Sequence, residues 1–356
     1  MNPIKKTAKI VDDRLFNDSF RRAAVHGKLL QETDVKGDLR RGLEAMRRER
    51  TVSQPNALFR PEFGRFIGGV SGRSGTTWIT RIMSEAVGDT HAVMGEQGLF
   101  VLSMFRDAPY EYLQFGGVQA GRERYLDYLY RMLTKYAYKR RRMYGGGLKG
   151  LMRFLPKRAI DLAFPKLRQD LRECNNLAAA QVAFGDFYQS LFNYHAAVLF
   201  GHPAAWISKE PPYGRHADDL FKFVPTARLL VMARDGREAA LSMFKRGWMD
   251  SVRGCMQRWA EFTSMTLDAL DRSPEGQWKL VRYDDLVRDF GEQLSDVFEH
   301  LELPKPDVGK ILDSGKKELI PRSDSLQSWK KTISKEDIDW FASQYGDLME
   351  RIGYRE

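Results

Sequence analysis

The sequence predicts an α/β protein: a P-loop-like parallel sheet flanked by helices, with a helical insertion. Three observations predict it. A short apolar run, Phe66-Ile67-Gly68-Gly69-Val70, is followed at once by a Gly/Ser/Thr loop and then by an apolar stripe at helical spacing (Ile79, Ile82, Met83, Ala86), which reads as strand, loop, helix. Four further short β candidates, at 91–94, 205–208, 228–232 and 279–283, each have a helical pattern nearby, as βα units of a parallel sheet do. The 356 residues are 43% hydrophobic and 29% charged, which is enough apolar material for a sizeable core and excludes collagen-like or wholly disordered chains.

In chain order, residues 1–60 read as a charged, peripheral helical arm: Leu39, Leu43 and Met46 recur at helical spacing before Pro55 and its polar neighbours break the pattern. The α/β domain is expected over 61–356. Within it, 100–204 is helix-like, aromatic-rich and basic, too long for a plain crossover, and is expected to form a cap over one sheet edge. Its tyrosines, among them Tyr110, Tyr112, Tyr125, Tyr128 and Tyr130, suit either a core or a pocket. No uninterrupted apolar run approaches the ~20 residues that span a bilayer, and no apolar stretch follows the N-terminal lysines, so a cytoplasmic location is expected. Cys174 and Cys255 lie in no CxxC or Cys/His cluster and are expected to be unpaired packing residues.

The net charge of +10 points to anionic partners, and it is local. Residues 135–172 hold twelve basic residues against Asp161 and Asp170, so this segment alone carries the whole excess. It contains the run Lys139-Arg140-Arg141-Arg142 and a stretch where apolar side chains alternate with cations. Such a segment could meet an anionic membrane surface or a polyanionic molecule, or be a solvated basic face. Nucleic acid fits less well, because no helix-turn-helix, finger or RNP-like pattern accompanies the charge.

The loop Ser71-Gly72-Arg73-Ser74-Gly75-Thr76-Thr77-Trp78 joins the first strand to the first helix, where backbone N–H groups and the helix dipole converge on an anion. Gly72 and Gly75 permit a curled path; Ser74, Thr76 and Thr77 offer hydroxyls; Arg73 is a charged donor to phosphate oxygens. A Walker A motif is absent, because the second Gly and the Lys of G-x-x-x-x-G-K-[ST] are missing, so an ordinary ATPase or kinase is disfavoured. A second anion site is expected where the strand at 228–232 runs into Ala233-Arg234-Asp235-Gly236-Arg237 and a helix through Ala240, Leu241, Phe244 and Trp248. Arg234 at the strand end and Ser242 in the early turns of that helix can address one phosphate beyond the carboxyl edge of the sheet.

At these two places the chain resembles the sulfotransferases that use 3′-phosphoadenosine-5′-phosphosulfate, whose phosphosulfate loop reads approximately [PG]-[KR]-S-G-T-T; here it is Gly72-Arg73-Ser74-Gly75-Thr76-Thr77. The resemblance is closest to the tyrosylprotein and bacterial carbohydrate branch. It implies that donor, with adenosine 3′,5′-bisphosphate as product and no metal, and it gives Arg234 and Ser242 the 3′-phosphate through the family's R-D-x-R-x-x-x-x-S element. Arg282-Tyr283-Asp284-Asp285-Leu286 is similar to the R-Y-[ED]-D-L element, which puts Tyr283 against the nucleotide. The segment from Arg322 to Lys330 is similar to the loop that covers the nucleotide, so Ser323, Ser325 and Lys330 are candidates there. Glu96, in Met94-Gly95-Glu96-Gln97, matches the branch's general base, with His91 as the alternative. Lys209 matches a K-[DT]-P element, Glu210 standing at its second position, and with Arg73 would stabilise the leaving 5′-phosphate. The acceptor expected is a hydroxyl on a small molecule, polysaccharide or glycolipid, read by the cap. Two other readings stay open: a P-loop phosphotransferase, which would need the missing lysine, and a non-catalytic nucleotide- or polyanion-binding protein, against which Glu96 and Lys209 argue.

Overall fold

The structure, a computed structural model, describes residues 64–95, 106–114, 119–143, 157–200, 205–323 and 326–354. The expected arm at 1–60 and the Gly-rich part of the basic segment lie outside them. The chain begins with β1 (Gly64–Gly69), α1 (Thr76–Val87) and β2 (His91–Gly95). Four helices follow: α2 (Ala108–Gln114), α3 (Gln119–Met143), α4 (Lys157–Glu173) and α5 (Leu177–Phe200). Next come β3 (Ala205–Lys209), a 3-10 turn (Pro211–His216), α6 (Ala217–Phe223), β4 (Arg228–Ala233), α7 (Gly236–Phe244) and α8 (Val252–Asp271). The last part holds β5 (Trp278–Arg282), α9 (Tyr283–Arg288), α10 (Phe290–His300), α11 (Val308–Leu312), a 3-10 turn (Ser328–Lys331) and α12 (Lys335–Arg351). Two compact units result, one holding Asp89–Trp206 and the other Gly64–Gly88 with Ile207–Glu356.

The second unit is built on strands β3, β1, β4 and β5, side by side in that order. β1 pairs with β4 in parallel, Arg65 opposite Arg228 and Gly69 opposite Met232, and β4 pairs with β5 in parallel, Leu229 opposite Trp278. The Glu210 N–H donates to the Ile67 carbonyl at 3.0 Å, tying the end of β3 to β1. Every residue of β1 is buried, and β4 is buried from Leu229 onward. Strands covered on both faces are continuous apolar runs for this reason. Cys255, Met256, Trp259, Thr263, Thr266 and Leu270 of α8 are buried, and the Thr266 hydroxyl donates to the Val70 carbonyl at 3.2 Å.

The five expected strands are present, their ends moved by one or two residues. Tyr283 opens α9 instead of ending β5, with Asp284 and Asp285 in the first helical turn, where carboxylates complement the helix dipole. The helix expected to run through Trp248 stops at Phe244, because the chain turns through Gly247 at a φ of 68°, a conformation glycine adopts without penalty. Ser242 therefore lies in the last turn of α7 and not in its early turns.

The Asp89–Trp206 unit is mostly helical. Phe164 of α4 meets Tyr130 of α3 and Phe187 of α5 edge-on, with centroids 5.2 and 5.7 Å away. Arg168 bridges Glu123 and Asp127, both at 2.6 Å. Of the tyrosines, Tyr112 and Tyr125 are core residues with bonded hydroxyls (Leu171 carbonyl, 2.7 Å; Glu111 carboxylate, 2.9 Å), Tyr130 donates to Asp161, and Tyr110 and Tyr128 are exposed. Cys174 and Cys255 are buried and unbridged, and burial pushes both thiols up. Among the described residues no helix is long and apolar enough to cross a membrane.

The tightest approach in the sheet is at Gly68, where an added Cβ would lie 2.6 Å from the Gly214 backbone nitrogen. Backbone cannot swing away as a side chain can. Gly68→Ala is therefore expected to cost about 1–3 kcal/mol, read as a lower urea midpoint; an unchanged midpoint would show that the Pro211–His216 turn yields.

Candidate functional site

The loop between β1 and α1 is curled by its own side chains. The Ser74 hydroxyl, completely buried, donates to the Ser71 carbonyl at 2.9 Å and accepts the Ser71 N–H at 3.3 Å. It is therefore a loop-closing group. Arg73 sits at a φ of 66° and Gly75 at 94°, two left-handed residues two positions apart that bend the loop sharply before α1. Thr76 is buried and Thr77 is exposed. The Thr77 hydroxyl accepts from Lys209 Nζ at 3.4 Å, which brings the end of β3 to the loop.

The two expected anion sites meet. Arg73 Nε donates to the Ser242 hydroxyl at 3.0 Å, although the residues are 169 apart in sequence. Burial pushes the Arg73 guanidinium down from its usual value, and the nearby guanidiniums of Arg246 and Arg234 push it further. Like charges repel most strongly where water is partly excluded. Three arginines around one Gly/Ser loop therefore carry a repulsion that an anion placed among them would remove, and charge-assisted donors of this kind are what phosphate oxygens take.

Aromatic rings line the same loop. Tyr283 covers Gly75, where an added Cβ would stand 2.7 Å from its ring, and its ring lies 4.7 Å from the Arg234 guanidinium. Trp78 meets Tyr283 edge-on at 5.1 Å and donates its indole N–H to the Leu319 carbonyl at 3.2 Å. Trp248, half exposed, lies against Gly72, where an added Cβ would be 2.5 Å from the ring.

Most of the residues picked from the sequence thus share one place: Arg73, Ser74, Gly75, Thr76, Thr77, Trp78, Lys209, Arg234, Ser242 and Tyr283. Ser323 and Lys330 are exposed; the Ser323 carbonyl accepts the Leu326 N–H, and the Lys330 ammonium lies 5.5 Å from the Trp329 ring. Glu96 and Ser325 lie outside the described residues. His91 is buried in the other unit, its Nδ1 2.8 Å from the Thr90 hydroxyl. Arg246, Trp248 and Glu238 were not picked. For Glu238 the signal was a spacing of four from Ser242, which puts the two on one face of α7, while Arg234 and Arg246 flank that helix.

This chain belongs to the sulfotransferase family, whose sequence profile matches residues 66–307. It is 25% identical over 207 residues to protein-tyrosine sulfotransferase A of Caenorhabditis elegans, an alignment covering 51% of this chain and 54% of that protein, so the chain matches about half the length of that relative. Among solved structures it is similar to the sulfotransferase domain of the Synechococcus PCC 7002 olefin synthase (TM-score 0.44, 18% identity, 80% of this chain and 94% of that one). It is also similar to a sulfotransferase from Mycobacterium avium (TM-score 0.42, 11% identity, 97% and 95%).

Gly75 combines a left-handed backbone with a ring in contact. Gly75→Ala is expected to lower stability by about 1 kcal/mol or more and to displace Tyr283, seen as a lower thermal midpoint; a variant as stable as the parent would show that the loop relaxes.

Proposed function

We propose that this chain transfers a sulfuryl group from 3′-phosphoadenosine-5′-phosphosulfate to a hydroxyl acceptor on a polysaccharide, glycolipid or other small molecule. The observation that carries the reading is the meeting of Arg73 with Ser242, and of its guanidinium with the charges of Arg234 and Arg246, at a strand-to-helix loop whose glycines are packed against aromatic rings. Two clusters of donors suit a nucleotide with phosphates at both the 5′ and 3′ positions, and ATP has no 3′-phosphate. The family membership supports the same donor.

In this reading the backbone N–H groups of 73–77, the Arg73 guanidinium and the Thr77 hydroxyl hold the 5′-phosphate, and Arg234, Ser242 and Arg246 hold the 3′-phosphate. Trp78 and Tyr283 supply apolar faces beside the loop for the nucleoside. The donor supplies an electrophilic sulfur whose bridging oxygen leaves on the 5′-phosphate. Lys209 and Arg73 face that oxygen with positive charge as negative charge grows on it, stabilisation that comes from groups already in place. Glu96 is assigned the proton of the acceptor hydroxyl, taken as the new oxygen–sulfur bond forms. Ser323, Ser325 and Lys330 belong in this reading to the segment that covers the nucleotide. The helical insertion at 100–204 is the cap that reads the acceptor, and its basic stretch suits an anionic saccharide or the headgroup region of an anionic membrane.

Calorimetric titration with adenosine 3′,5′-bisphosphate, AMP and Mg-ATP tests the nucleotide. The bisphosphate should bind well above the other two, and Arg234→Ala should weaken it about tenfold or more while leaving AMP unchanged. Equal losses for both ligands would take the 3′-phosphate away from Arg234, and preference for Mg-ATP would replace the reading with phosphoryl transfer. For the base, Glu96→Gln should keep bisphosphate binding and lose ~10²-fold or more in turnover; near-normal turnover would remove Glu96 from the mechanism.

A further inference from the structure

Glu238 is the third residue of α7, a position from which Glu commonly reaches back to the backbone of the helix cap. Here Asp235 does the capping, its carboxylate accepting the Arg237 N–H at 2.8 Å and gripping the Arg237 guanidinium at 3.0 and 2.9 Å. Glu238 is left to other partners. Its Oε1 accepts the Trp329 N–H at 2.8 Å, and its Oε2 accepts the Ser328 hydroxyl at 3.1 Å. The same Oε2 lies 3.5 Å from Nη2 of Arg234. The carboxylate is buried. A buried charge persists only where several donors compensate it, so the placement of these three donors is constrained together.

The contact with Arg234 is longer than the 2.7–2.9 Å of a charge-assisted hydrogen bond. It orients the guanidinium, whose face lies over Tyr283, without closing the pair as Asp235 closes on Arg237. Arg237 in turn stacks on the Trp329 ring at 3.9 Å, so the first turn of α7 and the Ser328–Lys331 turn form one packed joint next to Arg234.

We propose that Glu238 is a positioning residue for the anion site: it sets the guanidinium of Arg234 for a phosphate and fastens the Ser328–Lys331 turn to the same group, so that an anion on Arg234 and order in that turn are thermodynamically linked. The proposal rests on the reading that Arg234 takes the 3′-phosphate of the nucleotide. Linkage of this kind is reciprocal: whatever steadies the carboxylate between its donors steadies both sides.

The Trp329 amide reports directly, because its N–H donates to Glu238 Oε1. Hydrogen exchange at that amide, at equal occupancy by adenosine 3′,5′-bisphosphate or AMP, should be slower with the bisphosphate in the parent protein. In Glu238→Gln that difference should vanish, and the ratio of bisphosphate to AMP affinity should fall about tenfold. Charge alone predicts the opposite sign, since removing an acid beside a phosphate site tightens phosphate, so a raised or unchanged ratio overturns the proposal. Ser328→Ala, which leaves the charge and removes one half-buried hydroxyl bonded to Glu238, should speed Trp329 exchange and lower the same ratio by a smaller factor; no change in either overturns it as well. A parent protein that binds no bisphosphate would overturn the nucleotide reading itself, and the proposal with it, while normal binding with an unaffected variant would overturn the role of Glu238 alone.

Discussion

Everything at the candidate site depends on keeping several cations close together in a partly dehydrated place. Burial is the main cost of holding the Arg73 guanidinium there, and the charges of Arg246 and Arg234 add to it. The fold meets that cost with fixed counterparts. Ser242 takes one guanidinium N–H, Glu238 faces Arg234, and Tyr283 presents the negative face of its ring to the same group.

The glycines are the second half of the arrangement. Gly72 and Gly75 are each in contact with an aromatic ring, Trp248 and Tyr283, at distances that a side chain would violate. The rings thus define the walls of the loop, while the loop's own hydroxyl, Ser74, is used to hold its curl. Rigid walls and a self-supported backbone leave the N–H groups to point where the turn directs them. Preorganised donors of this sort need no rearrangement when charge develops against them.

Much of this was legible in the sequence. The loop could be read because residue types and spacing both carried information: glycines where the backbone must curl, hydroxyls and an arginine at a strand-to-helix junction. Arg234 and Ser242 were found the same way, at the carboxyl end of a strand and on the helix after it, whereas Lys209 and Tyr283 were marked by short motifs resembling those of the sulfotransferases. What was not legible depended on contacts distant along the chain. The bond between Arg73 and Ser242, which merges two expected sites into one, has no local signature. Trp248 was assigned to a helix because its spacing fits one, and only the left-handed turn at Gly247 redirects it to the loop. The partners of Glu238 have no local signature either, since Ser328 and Trp329 come about ninety residues later.

The parallel register of β1, β4 and β5 also bears on how the molecule comes to exist. Arg73, Arg234 and Tyr283 follow three different strands and Lys209 ends a fourth, so no short piece of chain contains the site. Pairing β1 with β4 closes a loop of well over a hundred residues, the kind of non-local contact that slows folding. Until that pairing forms, the arginines are far apart and exposed, and an anion has nothing multivalent to hold. A ligand of the assembled site then acts on the whole unit at once, because it binds the folded state and has no purchase on the unfolded one.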